Sequence, residues 1–212
     1  MYESLESFPL RKINFVKTRT TILKAVSHLL KEKDFSSITV DEICSRAQIS
    51  RGTFFNYFST KDHVFHYFLR IFTIRIALRI KQWPEDLSFE EKIREIYKWF
   101  NEETQYNRFV DSYISFLLSV GEENNEMKLI DAEFVYFFSG IEENEYSYYN
   151  NLTLNNLFQK ICEEAQANKE VSLKDDAKEL ANLFSGVLVA SYLTDQMNSA
   201  IDHLTIFDKI WK

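Results

Sequence analysis

Between Thr39 and Phe58 the chain has room for two short helices and only a tight joint between them, and this pair restricts the fold more than any other feature of the sequence. Thr39 followed by Glu42 is a capping box, in which the hydroxyl takes an orphan amide while the carboxylate reaches back. Val40, Ile43, Cys44 and Ala47 then share one face at i, i+3, i+4 and i+7, which predicts a helix of about two turns. Gln48–Ser50 break it, and Ser50 is placed to cap a further helix beginning at Arg51. That helix is expected to end near Phe58, because Ser59-Thr60-Lys61-Asp62 is another start signal. Nucleation is costly, so so short a helix must be pinned from outside. Phe54, Phe55 and Phe58 are the expected pins, and Arg51, Thr53, Asn56 and Tyr57 are left on the opposite side.

The neighbouring segments are helical too. Ile22, Leu23, Val26, Leu29 and Leu30 form a stripe within residues 17–35, with Asp34 as the expected stop. A longer helix carries Val64, Phe65, Phe68, Leu69, Phe72, Ile76 and Ile80 until Trp83-Pro84. Ser88 and Glu91 form another capping box, opening a helix with Phe89, Ile93, Ile96, Tyr97 and Phe100 on one side. Residues 108–121 read as a buried helix stopped by Gly121, and 127–141 as a helical core followed by a polar loop, EENEYSYYN. An amphipathic helix over 155–169, a long apolar one over 173–197 and a short one from 200 complete the chain. Only four Gly and two Pro occur in 212 residues, fewer than the turns of a sheet protein this size consume. The fold class is therefore all-α: a three-helix N-terminal domain containing a helix-turn-helix, and a larger helical C-terminal domain.

Charge divides along the same line. Residues 1–80 hold 13 Lys and Arg against 7 Asp and Glu, whereas residues 81–212 hold 12 against 25. A basic first third beside an acidic remainder fits a nucleic-acid-binding module joined to a different kind of domain. Cys44 and Cys162 make no disulfide framework, no apolar run reaches the length of a membrane span, and MYESLESFPL lacks a basic-then-apolar leader. The expectation is a cytoplasmic protein away from the membrane.

The ordered set T-V-D-E-I at 39–43, A-Q-I-S-R-G-T-F-F-N-Y-F at 47–58 and S-T-K-D at 59–62 resembles the tetracycline-repressor-like (TetR/AcrR) family of bacterial transcription regulators. The resemblance spans about residues 15–75, with the helix-turn-helix at about 38–57, and leaves 76–212 as a regulatory and dimerisation domain. It implies a ligand-responsive repressor that binds a palindromic operator as a homodimer, joined through residues of about 173–197 and 200–212. By position it implies that Ser50, Arg51, Thr53, Asn56 and Tyr57 touch backbone or bases, that Thr39 lies near a phosphate, that Lys61 meets one, and that Gly52 lets the backbone come close to DNA. It also implies that an effector in the C-terminal domain changes the angle between DNA-binding heads through the helix near 62–82. Two positions depart from the family pattern: Gln48 stands where Gly is frequent at the turn, and Phe55 where Tyr is frequent.

Other signals are weaker. Trp99, Phe109, Tyr113, Phe116 and Phe137 are candidates to line an effector cavity, although each is also a natural core residue. His63 and His66 have helical i, i+3 spacing, but nothing nearby completes a metal site. Cys44, among apolar neighbours, reads as an inert thiol. No nucleophile–base set, phosphate loop or cofactor motif is present, so an enzyme is not expected and no cofactor is assigned. The alternative is a DNA-binding regulator with no small-molecule ligand, controlled by a protein partner or by dimerisation alone.

Overall fold

The computed structural model describes residues 4–106, 112, 127–138, 140–171 and 176–197, and among these residues the secondary structure is helical throughout. The described α-helices are α1 (Leu10–Leu30), α2 (Val40–Ala47), α3 (Arg51–Tyr57), α4 (His63–Ile80), α5 (Phe89–Tyr106), α6 (Asp131–Phe137), α7 (Tyr146–Asn151), α8 (Leu154–Ala167) and α9 (Ala177–Met197). None is long and apolar enough to cross a membrane. The helix expected over 108–121 and the one from 200 lie outside the described residues.

Two compact units emerge, one drawn from residues 1–76 and 107–151, the other from 77–106 and 152–212. α4 contributes to both, as the reading of one continuous helix near 62–82 anticipates.

In the first unit α1 begins earlier than its apolar stripe suggests, directly after Pro9, whose fixed φ is compatible with a helix start. It stops at Leu30 and not at Asp34, which sits in extended backbone ahead of a 3₁₀ turn, Phe35–Ser37. Leu5 and Phe8 precede α1 and pack with Val16 and Ala132, so the N-terminal arm is part of the core. α4 is buried on nearly every side from Val64 to Ile74, which explains why its sequence is apolar around the whole circumference. The expected Ser59–Asp62 cap is not the one used; the Thr60 hydroxyl accepts the His63 N–H at 3.4 Å. The polar loop expected after residue 141 is instead a 3₁₀ turn, Glu143–Glu145, running into α7. Its helical face buries Tyr149 and leaves Tyr148 and the glutamates outside, a pattern too short to register as periodicity.

In the second unit the Ser88–Glu91 box caps α5, whose Phe89, Ile93, Ile96 and Tyr97 are buried. The Phe89 N–H donates to Glu170 at 2.6 Å, the Tyr97 hydroxyl to the Phe184 carbonyl at 3.0 Å, and Lys92 to Glu164 at 3.2 Å. Thr153 and Asn156 cap α8 reciprocally, and α8 packs its Leu157, Phe158, Ile161, Cys162 and Ala165 face inward, with α9 as its main partner.

Candidate nucleic-acid interface

The helix-turn-helix forms by local hydrogen bonds whose spacing is written in the sequence. Thr39 Oγ1 accepts the Glu42 N–H at 3.2 Å, and the Glu42 carboxylate accepts the Thr39 N–H at 2.9 Å. Hydrogen bonds from Lys33 first, then from the Thr39 backbone and hydroxyl, hold the Glu42 carboxyl down at about 2. α2 ends on Gln48, which adopts the left-handed conformation (φ 55°), while Ile49 N–H closes on the Cys44 carbonyl at 3.0 Å. Gln48 thus does the conformational work for which glycine is preferred, at a steric cost glycine would avoid. Ser50 then caps α3, accepting the Thr53 N–H at 3.0 Å.

α3 is pinned by two aromatics, not three. Phe54 and Phe58 are fully buried, whereas Phe55 is 46% exposed and lies edge-on to Phe54. The expected role of Phe55 as a pin is corrected: its helix position turns it outward, beside Arg51, whose guanidinium stands 5.9 Å from the ring.

The outer side of this motif presents Thr39, Ser50, Arg51, Gly52 and Asn56, all exposed, with Thr53 half-buried. Arg51 is not idle; its Nη1 donates to Asp41 at 2.6 Å, across the turn. A Cβ added at Gly52 would meet nothing nearer than Ser50 Oγ at 3.7 Å, so packing within the chain does not require glycine there. Tyr57 is half-buried and packs on Phe15 at 5.1 Å between centroids. Lys61 is more committed than the sequence suggests: its Nζ donates to the Phe35 and Ile38 carbonyls, each at 2.8 Å, and lies 4.3 Å from the Phe35 ring. Burial pushes its pKa down. It ties the start of α4 to the loop that leads into α2.

Asp41 is the participant that the sequence reading missed. It has the appearance of an ordinary first-turn acid, and only the left-handed turn at Gln48 brings Arg51 to it.

Of the cavity candidates, Trp99 belongs to the second unit, where it stacks on Trp83 at 5.7 Å under the Arg79 guanidinium. Phe137 belongs to the first, against Tyr136 and Tyr67. Phe109, Tyr113 and Phe116 lie outside the described residues. His63 and His66 stand 5.8 Å apart, and among the described residues no group of three or more potential ligands gathers around a metal position. Cys44 is buried, and that burial pushes its thiol up, as expected for an inert cysteine.

Residues 22–68 match the family model described as bacterial regulatory proteins, tetR family. No curated protein matches the chain by sequence. Among solved structures, FadR of Bacillus subtilis, a transcriptional regulator crystallised with stearoyl-CoA, superposes with a TM-score of 0.58 at 17% identity, covering 90% of this chain and 94% of its own. A Clostridium perfringens protein assigned as a fatty acid metabolism regulator gives 0.55 at 21% identity, with the same coverage. CprB of S. coelicolor, a TetR family protein, gives 0.52 at 14%, over 86% of this chain and 82% of that one. These likenesses establish a shared fold, and the family model falls on the helices that carry the exposed face of α3. Residues 22–68, which carry the helix-turn-helix, thus match the tetR family of bacterial regulatory proteins, and the likeness of the rest of the chain to these solved structures is one of fold.

Proposed function

We propose that the chain is a ligand-responsive transcriptional repressor that binds a palindromic operator as a homodimer. The observation that carries this reading is the outer face of α3: Arg51, Asn56 and a glycine that internal packing does not need, on a helix held from behind by Phe54 and Phe58. Arg51 offers a bidentate fork for a guanine edge, Asn56 for an adenine, and Gly52 permits close approach of the backbone. Thr39 and Ser50 supply hydroxyls at phosphate height, Thr53 and Tyr57 flank them, and Lys61 orders the loop ahead of α2 with one donor left for a phosphate.

A second copy is supported by α9. Leu183 is 57% exposed, and Gly186, Val187 and Ala190 follow it at helical spacing, giving a stripe on which two such helices can approach closely. Two recognition helices about 34–36 Å apart then match successive major grooves. The effector class proposed is a long-chain acyl thioester, by likeness to the neighbour crystallised with stearoyl-CoA.

The test is titration of the purified chain onto a duplex taken from upstream of its own gene, across salt concentrations, with Arg51→Ala in parallel. Tight, salt-dependent binding by a dimer, weakened by the substitution, supports the reading. Binding indifferent to sequence and to Arg51 sinks it. Adding stearoyl-CoA, with free coenzyme A as control, then tests the effector class by release of DNA.

A further inference from the structure

We propose that Arg19, Tyr67 and Glu133 form a positioning lock that sets the tilt of the recognition helix α3, making α6 a working part of the DNA-reading head. The proposal rests on the DNA-binding reading above.

The three residues come from α1, α4 and α6, and all are buried: the Arg19 side chain is 3% exposed and Glu133 is 0% exposed. Arg19 Nη1 donates to both Glu133 oxygens, at 3.1 and 3.0 Å. The Tyr67 hydroxyl donates to Oε1 at 2.7 Å and the Ile130 N–H to Oε2 at 2.9 Å. Burial and the adjoining carboxylate push the Tyr67 phenol up, so it stays a donor. Burial also lifts the Glu133 carboxyl, against the pull of Arg19 and the hydrogen bonds it accepts.

The guanidinium is where the signal would pass. It lies 4.0 Å from the Tyr67 ring, 5.2 Å from Phe58 and 5.3 Å from Phe15. Phe58 closes the C-terminal end of α3, and Phe15 packs on Tyr57, the last residue of α3. One cation therefore touches the supports of the recognition helix on one side and the first turn of α6 on the other. Arg19 Nε finds no hydrogen-bond partner among the described residues, so the guanidinium is oriented by Glu133, by the Lys128 carbonyl at 3.5 Å, by the Met127 sulfur and by the surrounding rings. Arg70 of α4 holds the same segment, donating to the Met127 carbonyl at 3.1 Å and the Tyr149 carbonyl at 3.4 Å.

A buried ion pair is a poor way to gain stability, because hydrophobic replacements of similar volume serve as well or better. What the pair supplies is direction: Nη1 shared between both carboxylate oxygens, on a carboxylate that also accepts from Tyr67 and the Ile130 N–H, fixes α1 against α6 more narrowly than apolar contact does. Displacing residues 127–133 thus has a physical route to the end of α3.

The experiment separates positioning from support. A duplex is first selected from a random-sequence pool by the unaltered chain; failure to select any would reject the DNA-binding reading itself and leave the lock without a purpose. Arg19→Met combined with Glu133→Gln removes both charges while Gln keeps an acceptor for Ile130. This double variant is expected to melt above either single variant, to bind a scrambled duplex like the unaltered chain, and to bind the selected duplex roughly tenfold more weakly. Selected-duplex affinity within twofold of the unaltered chain, with the fold intact, would overturn the proposal. Tyr67→Phe keeps the ring, deletes one donor and tests the same ratio should the double variant not fold; it is expected to lose specificity by about threefold, and an unchanged ratio there also overturns the lock.

Discussion

Arg51–Asp41 and Arg19–Glu133 are the same chemical pair placed in opposite surroundings. The first is 2.6 Å long with side chains 60% and 67% exposed; the second is 3.0 Å long with side chains 3% and 0% exposed. The shorter contact is the weaker one. Water competes for both groups at the surface, so an exposed pair contributes about 0–1 kcal/mol and can be exchanged for another partner. In the interior no water competes, and the only other partners are fixed groups of the protein itself. The distance between charged atoms therefore says little about how readily a bond is exchanged for another, and burial says a great deal.

The largest expected effect lies on the buried side. Arg19→Ala leaves Glu133 ionisable and without its counter-charge, and should cost about 3–5 kcal/mol in urea unfolding. A loss below about 1 kcal/mol would erase the contrast between the two pairs. Arg51→Ala should do the reverse: unfolding stays within about 1 kcal/mol, while operator affinity falls by about 1–3 kcal/mol in a titration at fixed salt. Gly52→Ala sharpens the point, because the free chain has room for a methyl group there. It should raise stability by about 0.5–1 kcal/mol and still weaken DNA binding. Asp41→Asn frees the Arg51 fork from its surface partner; affinity should rise by less than about 1 kcal/mol at low salt and the gain should fade as salt is added. The smallest effect concerns a second surface carboxylate. Glu42 is held at about 2 when folded, below its ordinary 4.5, so it stabilises the fold above that ordinary value and the contribution drains away as pH falls toward 2. Glu42→Gln should flatten that part of an acid-unfolding curve.

The sequence made some of this legible and hid the rest for a physical reason. Thr39 with Glu42, Ser50 with Thr53 and Ser88 with Glu91 all act over three residues, and a hydrogen bond of that reach leaves a spacing that can be read. Phe54 and Phe58 could be placed together by helical period, but the same period turns Phe55 outward, and the density of aromatics obscured it. Asp34 looked like a stop because Asp tolerates turn geometry, yet α1 frays at Leu30 with no special residue to mark the place. Lys61 reads as a free cation until its two carbonyl partners, 23 and 26 residues earlier, are seen. Arg19 and Glu133 are separated by 114 positions, and no local pattern in either stretch announces the other.

That separation also has a bearing on how the protein is made. The helix-turn-helix is complete in the chain by residue 57, but the carboxylate that neutralises Arg19 is added 114 residues after the arginine. At about 5–20 residues per second of synthesis, the arginine waits roughly 6–23 s for its partner. During that interval α1 cannot close over its aromatic pocket without burying an unmatched charge. Helix α1 is thus among the last elements of its unit to reach final packing, although it is made long before the carboxylate that completes it.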